Sequence, residues 1–362
     1  MTHNREAALL AAKPWQDLPQ TTASRLCCIE RIEETHDVVT FRFEAPGEPV
    51  RFSYKPGQFI SLQLEIGGET QSRAYTISSS PSRPYSISIT VKRVTGGKVS
   101  NYLIDSLKPG HIVDVQGPAG GFNLVDIPAD RFLFLSAGCG ITPMFSMSRW
   151  LNDTRVGADI AFIHSAKRVD DLIFEEQLAA MVSRHSGFRL GYFIEQGACP
   201  DWRHAPVLPG RLSLTGLDAL SPDWRERTLY VCGPEAYMET VEAMVRTAGF
   251  DMSRFHKESF AAPAHNGAKI EAEKDIGAGF MLKVGDKLHP LGEQGLLLEG
   301  IEALKLPIIA ACRSGVCGAC KCQVLEGEVE RLSDMTLTEE DKANGMVLAC
   351  STRALTDISI KL

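Results

Sequence analysis

Four of the ten cysteines fall in one short stretch, ACRSGVCGACKC, from Ala311 to Cys322. Three of them, Cys312, Cys317 and Cys320, follow the spacing C-x4-C-x2-C, and Cys350 stands further on in VLACST, at the end of an apolar run able to return the chain to the loop. Four thiolates at this spacing hold the two irons of a 2Fe-2S cluster. A structural zinc site is the rival, but such sites usually pair their cysteines in two C-x2-C knuckles, whereas here three share one loop. The small residues between them, Ser314, Gly315, Gly318 and Ala319, let backbone amides turn inward and donate to sulfide. Cys322 is expected to face away from the ligands, as a small hydrophobe on the strand that follows Cys320.

A cluster of this kind accepts one electron at a time, so another part of the chain must supply it. The loop and residues 270 to 362 resemble the plant-type ferredoxins, including the LLLEGIEAL helix ahead of the ligands. Upstream, SRAYTISSSP, from Ser72 to Pro81, resembles the R-x-Y-[ST]-x-x-S signature of the ferredoxin-NADP reductase superfamily of flavoproteins. The resemblance implies Arg73 as a fork for a diphosphate, Tyr75 as a flat face against an isoalloxazine, and Thr76 as a hydroxyl near flavin N5, with backbone around Ile77 and Ser78 completing the contacts. VKRVTGGKVSNYL matches the second signature, G-x-[VL]-S, in which Gly97, Lys98, Val99 and Ser100 wrap a pyrophosphate at a helix start. A pyrophosphate site implies FAD, since FMN has none.

SAGCGITPM places Gly138, Gly140, Thr142 and Pro143 between a strand and a helix, where bare backbone can approach a dinucleotide diphosphate. Pro143 stands where the G-x-G-x-x-G fingerprint has its third glycine, a departure the reductase family shares. YVCGPEAYM resembles the family's C-G-P element with its following methionine, which implies Cys232 near a nicotinamide, Gly233 and Pro234 shaping the loop, and Met238 completing it. In FHKESF the resemblance implies Glu258 near the hydride path and Phe260 over the flavin face. The simpler reading is a final core strand with Phe255 and Phe260 packed and Glu258 solvated. Thr76, Cys232, Glu258 and Phe260 are therefore the expected catalytic set. In HSAKRVDD, Lys167 and Arg168 could meet a 2'-phosphate while Asp170 and Asp171 could not. The family order of flavin, nucleotide and ferredoxin goes more often with NADH.

Three scaffolds must position these groups. From about Ala23 apolar residues alternate, as in Val39, Phe41 and Phe43, in Ile60, Leu62, Leu64 and Ile66, and in Ile87, Ile89 and Val91, with turn clusters KPGQ, GGET and TGGK between. This predicts an antiparallel β-barrel over 23–127 for FAD. Strands RFLFLSAG, DIAFIH, FRLGYFIE and TLYVC then alternate with helices around PMFSMSRWL, LIFEEQLAAMV and EAYMETVEAMVRTAGF, which predicts an α/β domain with a parallel sheet over 128–262 for NAD. AAPAHNGAKIEAEK suits a linker, placed at 263–274. Residues 275–362 read as an α+β ferredoxin domain of the β-grasp type, in which Leu297, Ile301 and Leu304 share one helical face. Residues 1–22 read as an N-terminal tail.

A chain of 362 residues can bury a core in each of these domains. Its net charge of -7 argues against a general nucleic-acid binder, whose phosphate contacts call for a basic surface. The first twenty residues lack a secretory apolar region, and no window reaches the length of a membrane helix, so a cytoplasmic protein with no membrane span is expected. No catalytic triad or general base is needed, and the histidines at 36, 164, 256 and 289 are scattered.

All but the first twenty or so residues thus resemble the NADH oxidoreductases with a C-terminal ferredoxin domain, which implies electron flow from NADH to FAD to the 2Fe-2S cluster and on to a redox protein. FLSAGCGITPMFSMSRWL, ACRSGVCGACK and MTLTEEDKANGMVLACS most resemble the branch that serves the hybrid cluster protein, the first-ranked acceptor. PSRPYSISITVKRVTGGKVSNYL equally resembles reductase components of Rieske-type oxygenases, such as those demethylating glycine betaine, the second acceptor. A carrier that binds a cluster without oxidising nucleotide is a third reading. Residues 325–345 carry seven acidic side chains against two basic ones, a solvated face or a docking surface for a basic partner.

Overall fold

The computed structural model describes residues 24–47, 50–155, 157–260, 279–292, 295–308, 315, 318–334 and 336–362. The expected tail and linker, and the two expected ligands Cys312 and Cys317, lie outside the described residues. One compact unit runs to Ser259 apart from residues 119–121, and a second takes 119–121 together with Phe260 onward.

In the first unit, β1 (Arg25–Thr35), β2 (Val38–Glu44), β3 (Phe59–Ile66), β4 (Glu69–Thr76), β5 (Ile87–Lys92) and β6 (Ile112–Ala119) form one sheet in the order β4-β3-β6-β1-β2-β5. Its two edges meet, because Ile77 makes an antiparallel bridge to Ile89 and the Ser78 amide donates to the Ser88 carbonyl at 2.8 Å. The sheet is thereby closed into the expected barrel, which leaves no bare edge. The alternating residues point where their period requires: Val39, Phe41, Phe43, Ile60, Leu62, Ile87, Ile89 and Val91 are all buried in one core. Helix α1 (Lys98–Ser106) adds Val99, Leu103 and Ile104 to that core.

The rest of the unit is a six-stranded parallel sheet in the order β10-β9-β8-β7-β11-β12, made of β7 (Arg131–Ala137), β8 (Asp159–Ala166), β9 (Phe188–Ile194), β10 (Val207–Pro209), β11 (Thr228–Cys232) and β12 (Phe255–Glu258). Helices α2 (Ile141–Thr154), α3 (Glu175–Arg184), α4 (Leu214–Leu220) and α5 (Glu235–Thr247) cover it. Both faces are dry, so the strands read as continuous apolar runs: Phe132, Phe134 and Phe162 go to one core, Leu133, Leu135 and Ile163 to the other. Each such buried side chain contributes roughly 2 kcal/mol. Helix α3 starts later than the apolar pattern suggests. Ile173 and Phe174 are buried and Phe174 is held at φ 60, so this apolar run packs as a corner and the helix begins at Glu175. The short β10 and α4 carry no strong periodicity, so no sequence pattern marks them.

The second unit has a five-stranded sheet, order β14-β13-β19-β15-β17, from β13 (Met281–Val284), β14 (Lys287–Pro290), β15 (Lys321–Glu326), β17 (Met346–Leu348) and β19 (Ile358–Lys361), with β16 (Val329–Arg331) paired to β18 (Thr352–Ala354). The parallel contact of β13 with β19 lies beside the antiparallel pairs β13–β14 and β15–β19, and α6 (Leu297–Ala303) buries Leu297 and Ile301 on the sheet. This is the ferredoxin arrangement expected. Strands β15 and β16 are separated by a break at Gly327, which has φ 96. A short acidic helix, α7 (Glu339–Ala343), follows. Among the described residues no helix is long and apolar enough to cross a membrane.

Candidate active site

Strand β4 runs antiparallel to β3, with Arg73 opposite Leu62, Tyr75 opposite Ile60 and Thr76 opposite Phe59. Arg73 is exposed, and among the described residues its Nη1 donates to the Ser72 carbonyl at 2.7 Å. Tyr75 is half-buried, and burial holds its phenol neutral. Thr76 is buried, and its Oγ1 has no hydrogen-bond partner among the described residues. A buried hydroxyl without a partner costs free energy unless a ligand supplies one. The next two amides are engaged within the barrel, Ile77 to the Gln58 carbonyl at 2.9 Å and Ser78 to Ser88. Neither of these two amides is therefore open to a ligand.

At the other end of the flavin motif, Gly97 is the N-cap of α1, and Lys98, Val99 and Ser100 form its first turn. No side chain caps this end and no acidic residue sits in the first turn. Helix-start amides left open in this way attract an anion. The Ser100 hydroxyl accepts from the Val94 amide at 3.2 Å, which folds the TGGK loop onto the helix. The orphaned Thr76 hydroxyl and the open helix start fit a flavin with a diphosphate.

The nucleotide motifs meet where the parallel sheet reverses its order, at the carboxyl end of β7, the place where open α/β sheets bind ligands. Gly138 to Gly140 make a 3-10 turn into α2, whose N-cap is Gly140. A Cβ at Gly140 would lie 2.2 Å from the carbonyl oxygen of Cys232 and 2.5 Å from the amide nitrogen of Gly233. Only glycine permits this contact, which locks the β7 loop onto the β11 loop. Thr142 donates to the Cys139 carbonyl at 3.0 Å, Pro143 is buried in the first turn of α2, and Pro234 caps α5. Met238 is fully buried in the core with Leu133 and Leu229, behind the loop.

Cys232 is opposite Glu258 in the parallel β11–β12 ladder. Part of Glu258 reaches solvent, but its Oε2 is enclosed and has no partner among the described residues. Burial pushes this carboxyl up to about 8. Cys232 is completely buried, and burial first, then the nearby Glu258 and Cys139, raises its thiol well above the usual range. It is a neutral thiol, unsuited to nucleophilic attack. Cys139, pushed up to about 12 by burial, is the residue the sequence reading missed. Its sulfur donates to the Thr90 carbonyl at 3.7 Å, joining the glycine turn to the barrel. Its only sequence signal is its place inside SAGCGITPM. The two lobes of this unit are further joined by Ser146, which donates to the Ser79 carbonyl at 2.6 Å, and by the Arg83–Asp153 pair. In HSAKRVDD, Asp171 already accepts from the Arg168 amide at 3.0 Å. His164 is buried and held neutral, at about 3, with Nδ1 2.8 Å from the Ser136 hydroxyl. Phe260 is 48% exposed.

In the second unit, Cys320 and Cys350 are both buried, and the Cys350 amide donates to Cys320 Sγ at 3.4 Å. The Gly315 amide donates to Cys350 Sγ at 3.1 Å. Amides aimed at cysteine sulfur are what thiolate ligands take from their surroundings, so these residues fit an iron–sulfur cluster. Gly315, at φ +75, has no room for a side chain, since a Cβ would lie 2.4 Å from Ser351 Oγ and 2.6 Å from Ser333 Cβ. Cys322 is buried in the core beneath, as expected. The acidic run is partly neutralised by its own neighbours: Lys342 pairs with Asp334 and Glu339, and Lys321 with Asp341.

Three family models match along the chain: an oxidoreductase FAD-binding domain at residues 26–124, an oxidoreductase NAD-binding domain at 134–243 and a 2Fe-2S iron-sulfur cluster binding domain at 290–355. The chain is 42% identical over 350 residues to the glycine betaine monooxygenase reductase subunit of Chromohalobacter salexigens, covering 92% of this chain and 94% of that one. It is 34% identical over 319 residues to the NADH oxidoreductase HCR of Escherichia coli, covering 83% and 86%. The solved structure of phthalate dioxygenase reductase superposes with a TM-score of 0.58 at 22% identity, over 97% of this chain and all of that one, a likeness of fold. The chain therefore carries FAD-binding, NAD-binding and 2Fe-2S modules, in that order.

Proposed function

Because the chain belongs to the family of NADH oxidoreductases that join FAD-binding, NAD-binding and 2Fe-2S domains, we propose that it is the reductase component of a Rieske-type oxygenase that demethylates glycine betaine or a close analogue. The observation that carries this reading is the match to the glycine betaine monooxygenase reductase subunit, at 42% identity over nearly the full length of both chains. The hybrid cluster protein, ranked first from the sequence, is the weaker acceptor: the relative that supports it is 34% identical over 83% of the chain. The order of the two acceptors is accordingly reversed. A carrier that leaves nucleotide untouched is set aside by the matched NAD-binding domain.

When bound, the nicotinamide supplies a hydride, FAD turns the electron pair into single electrons, and the cluster passes them on one at a time. The protein's share is to bind, orient and exclude water. The open start of α1 at Lys98, Val99 and Ser100 would hold the FAD pyrophosphate, with Arg73 reaching it from β4. Tyr75 would lie along the ring and the Thr76 hydroxyl would find its missing partner there. Gly138, Gly140, Thr142, Pro143, Gly233 and Pro234 would shape the nucleotide seat, with Met238 supporting it from the core. Glu258, protonated at neutral pH, would hold a proton beside the neutral Cys232 thiol, and Phe260 would cover the flavin. Cys312, Cys317, Cys320 and Cys350 would ligate the cluster. A cytoplasmic location belongs to the same proposal, since that compartment holds NADH and keeps thiols reduced.

The test compares acceptors. With NADH as donor, electron transfer to a glycine betaine oxygenase should be faster than to a hybrid cluster protein, and NADH consumption should depend on the presence of betaine. Faster reduction of the hybrid cluster protein would overturn the assignment.

A further inference from the structure

A cleft of about 500 Å³ opens in the first unit between the barrel and helices α2 and α3, a volume within the range of small-molecule sites. Of the residues assigned above to flavin or nucleotide, only Ser78 lines it. It is therefore a separate feature.

Its charges are unevenly matched. Arg42 pairs with Glu30 at 2.9 Å, and Arg83 grips Asp153 through Nε and Nη2 at 3.1 and 3.0 Å. Burial raises the pKa of Glu34, the third carboxyl on the wall, toward its neutral form. Arg149 has no ion pair or hydrogen bond among the described residues, and its guanidinium lies 5.4 Å from the centre of the Phe145 ring. Burial, and then nearby Arg83, lowers its pKa, and the smaller opposing effects of Tyr54 and of Asp153, itself engaged by Arg83, do not cancel this. Asn152 lies three residues along α2, on the same face, and its Nδ2 is enclosed without a partner among the described residues. A half-buried guanidinium and an enclosed, unused amide donor side by side make a site that an anion can satisfy. Beside them Phe145 and Phe174 stack at 3.9 Å with 11° between their planes, giving the cleft an apolar floor.

We infer that this cleft binds a small organic carboxylate, its carboxylate shared by Arg149 and Asn152 and its apolar body resting against Phe145 and Phe174. Guanidinium offers two parallel N–H donors to a carboxylate, and the rim cation Arg184 favours the same sign of ligand. Because the walls come from both lobes, occupancy also holds the barrel and the α/β lobe together.

The experiment uses the FAD- and cluster-loaded protein with 4-fluorobenzoate as probe, followed by fluorine NMR, and inorganic phosphate as a second probe. Fluorobenzoate should bind without being displaced by NADH and should raise the melting temperature. Arg149→Met, which keeps an apolar stem over Phe145, should weaken it at least tenfold, and Asn152→Leu severalfold. NADH-driven ferricyanide reduction should be unchanged in both. Should Arg149→Met fail to fold, Asn152→Leu carries the same test. Binding that is insensitive to these changes, or is displaced by NADH, overturns the site. Phosphate binding more tightly than fluorobenzoate, in an Arg149-dependent way, overturns the assignment of an organic carboxylate.

Discussion

Cys232 and Glu258 stand at matched positions of the parallel β11–β12 ladder, so a neutral thiol and an enclosed carboxyl meet at the carboxyl ends of two adjacent strands. A carboxyl whose folded pKa, about 8, exceeds its ordinary 4.5 binds its proton more tightly in the folded state. The stability it contributes is complete below pH 4.5 and is lost as pH rises through 8. Glu258→Gln removes this dependence. Denaturant unfolding at pH 5 and pH 9 should show the wild type losing on the order of 3 kcal/mol more than the variant. Equal losses would mean that Glu258 is ionised in the folded protein.

The unpartnered Thr76 hydroxyl predicts a separation of stability from activity. Thr76→Val removes a buried polar atom that no described residue satisfies, so unfolding free energy should stay within about 1 kcal/mol of wild type or rise. Flavin reduction by NADH in anaerobic stopped flow should slow roughly tenfold, the equivalent of one hydrogen bond. An unchanged rate would remove Thr76 from the catalytic set.

Gly140→Ala drives a methyl group into the Cys232 carbonyl, where backbone must move. Overpacking of this kind costs about 1–3 kcal/mol. Thermal unfolding should report that loss, and kcat/KM for NADH should fall while the iron content stays constant.

For Gly315→Ala the pattern reverses. The added Cβ meets Ser351 and Ser333 at a left-handed φ, which displaces the amide that donates to Cys350. Iron per chain and visible cluster absorbance should drop by more than half, while FAD content is unaffected. A fully loaded cluster would show that the Gly315 donor is dispensable.

Much of the molecule was legible in the sequence because its signals are local. Period-two alternation in Val39, Phe41 and Phe43 marks a barrel strand whatever it pairs with, and all three are buried as that period requires. Apolar runs such as RFLFLSA mark strands covered on both faces. Local signals also misled where packing overrides them: the apolar LIF before α3 reads as helix but is buried as a corner with Phe174 at φ 60. The acceptor is still less local, since the motifs that place cofactors say little about the surface a partner meets. Likeness over the whole chain is greater to the glycine betaine monooxygenase reductase subunit, at 42% identity, than to the NADH oxidoreductase HCR, at 34%, although short motifs resemble the latter.

What the sequence determined alone was chemistry written in short spacings: the cysteine pattern around Cys312, Cys317 and Cys320, the R-x-Y-T turn, the glycines of the nucleotide loop and the order of three modules. The tertiary structure decided which distant groups meet. Glu258 lies opposite Cys232 because two strands took that register, Gly140 touches the Cys232 carbonyl because β7 and β11 are neighbours, and Arg149 faces a cleft because the barrel packs against α2. Register and packing are cooperative outcomes of many weak contacts, so no single segment encodes them.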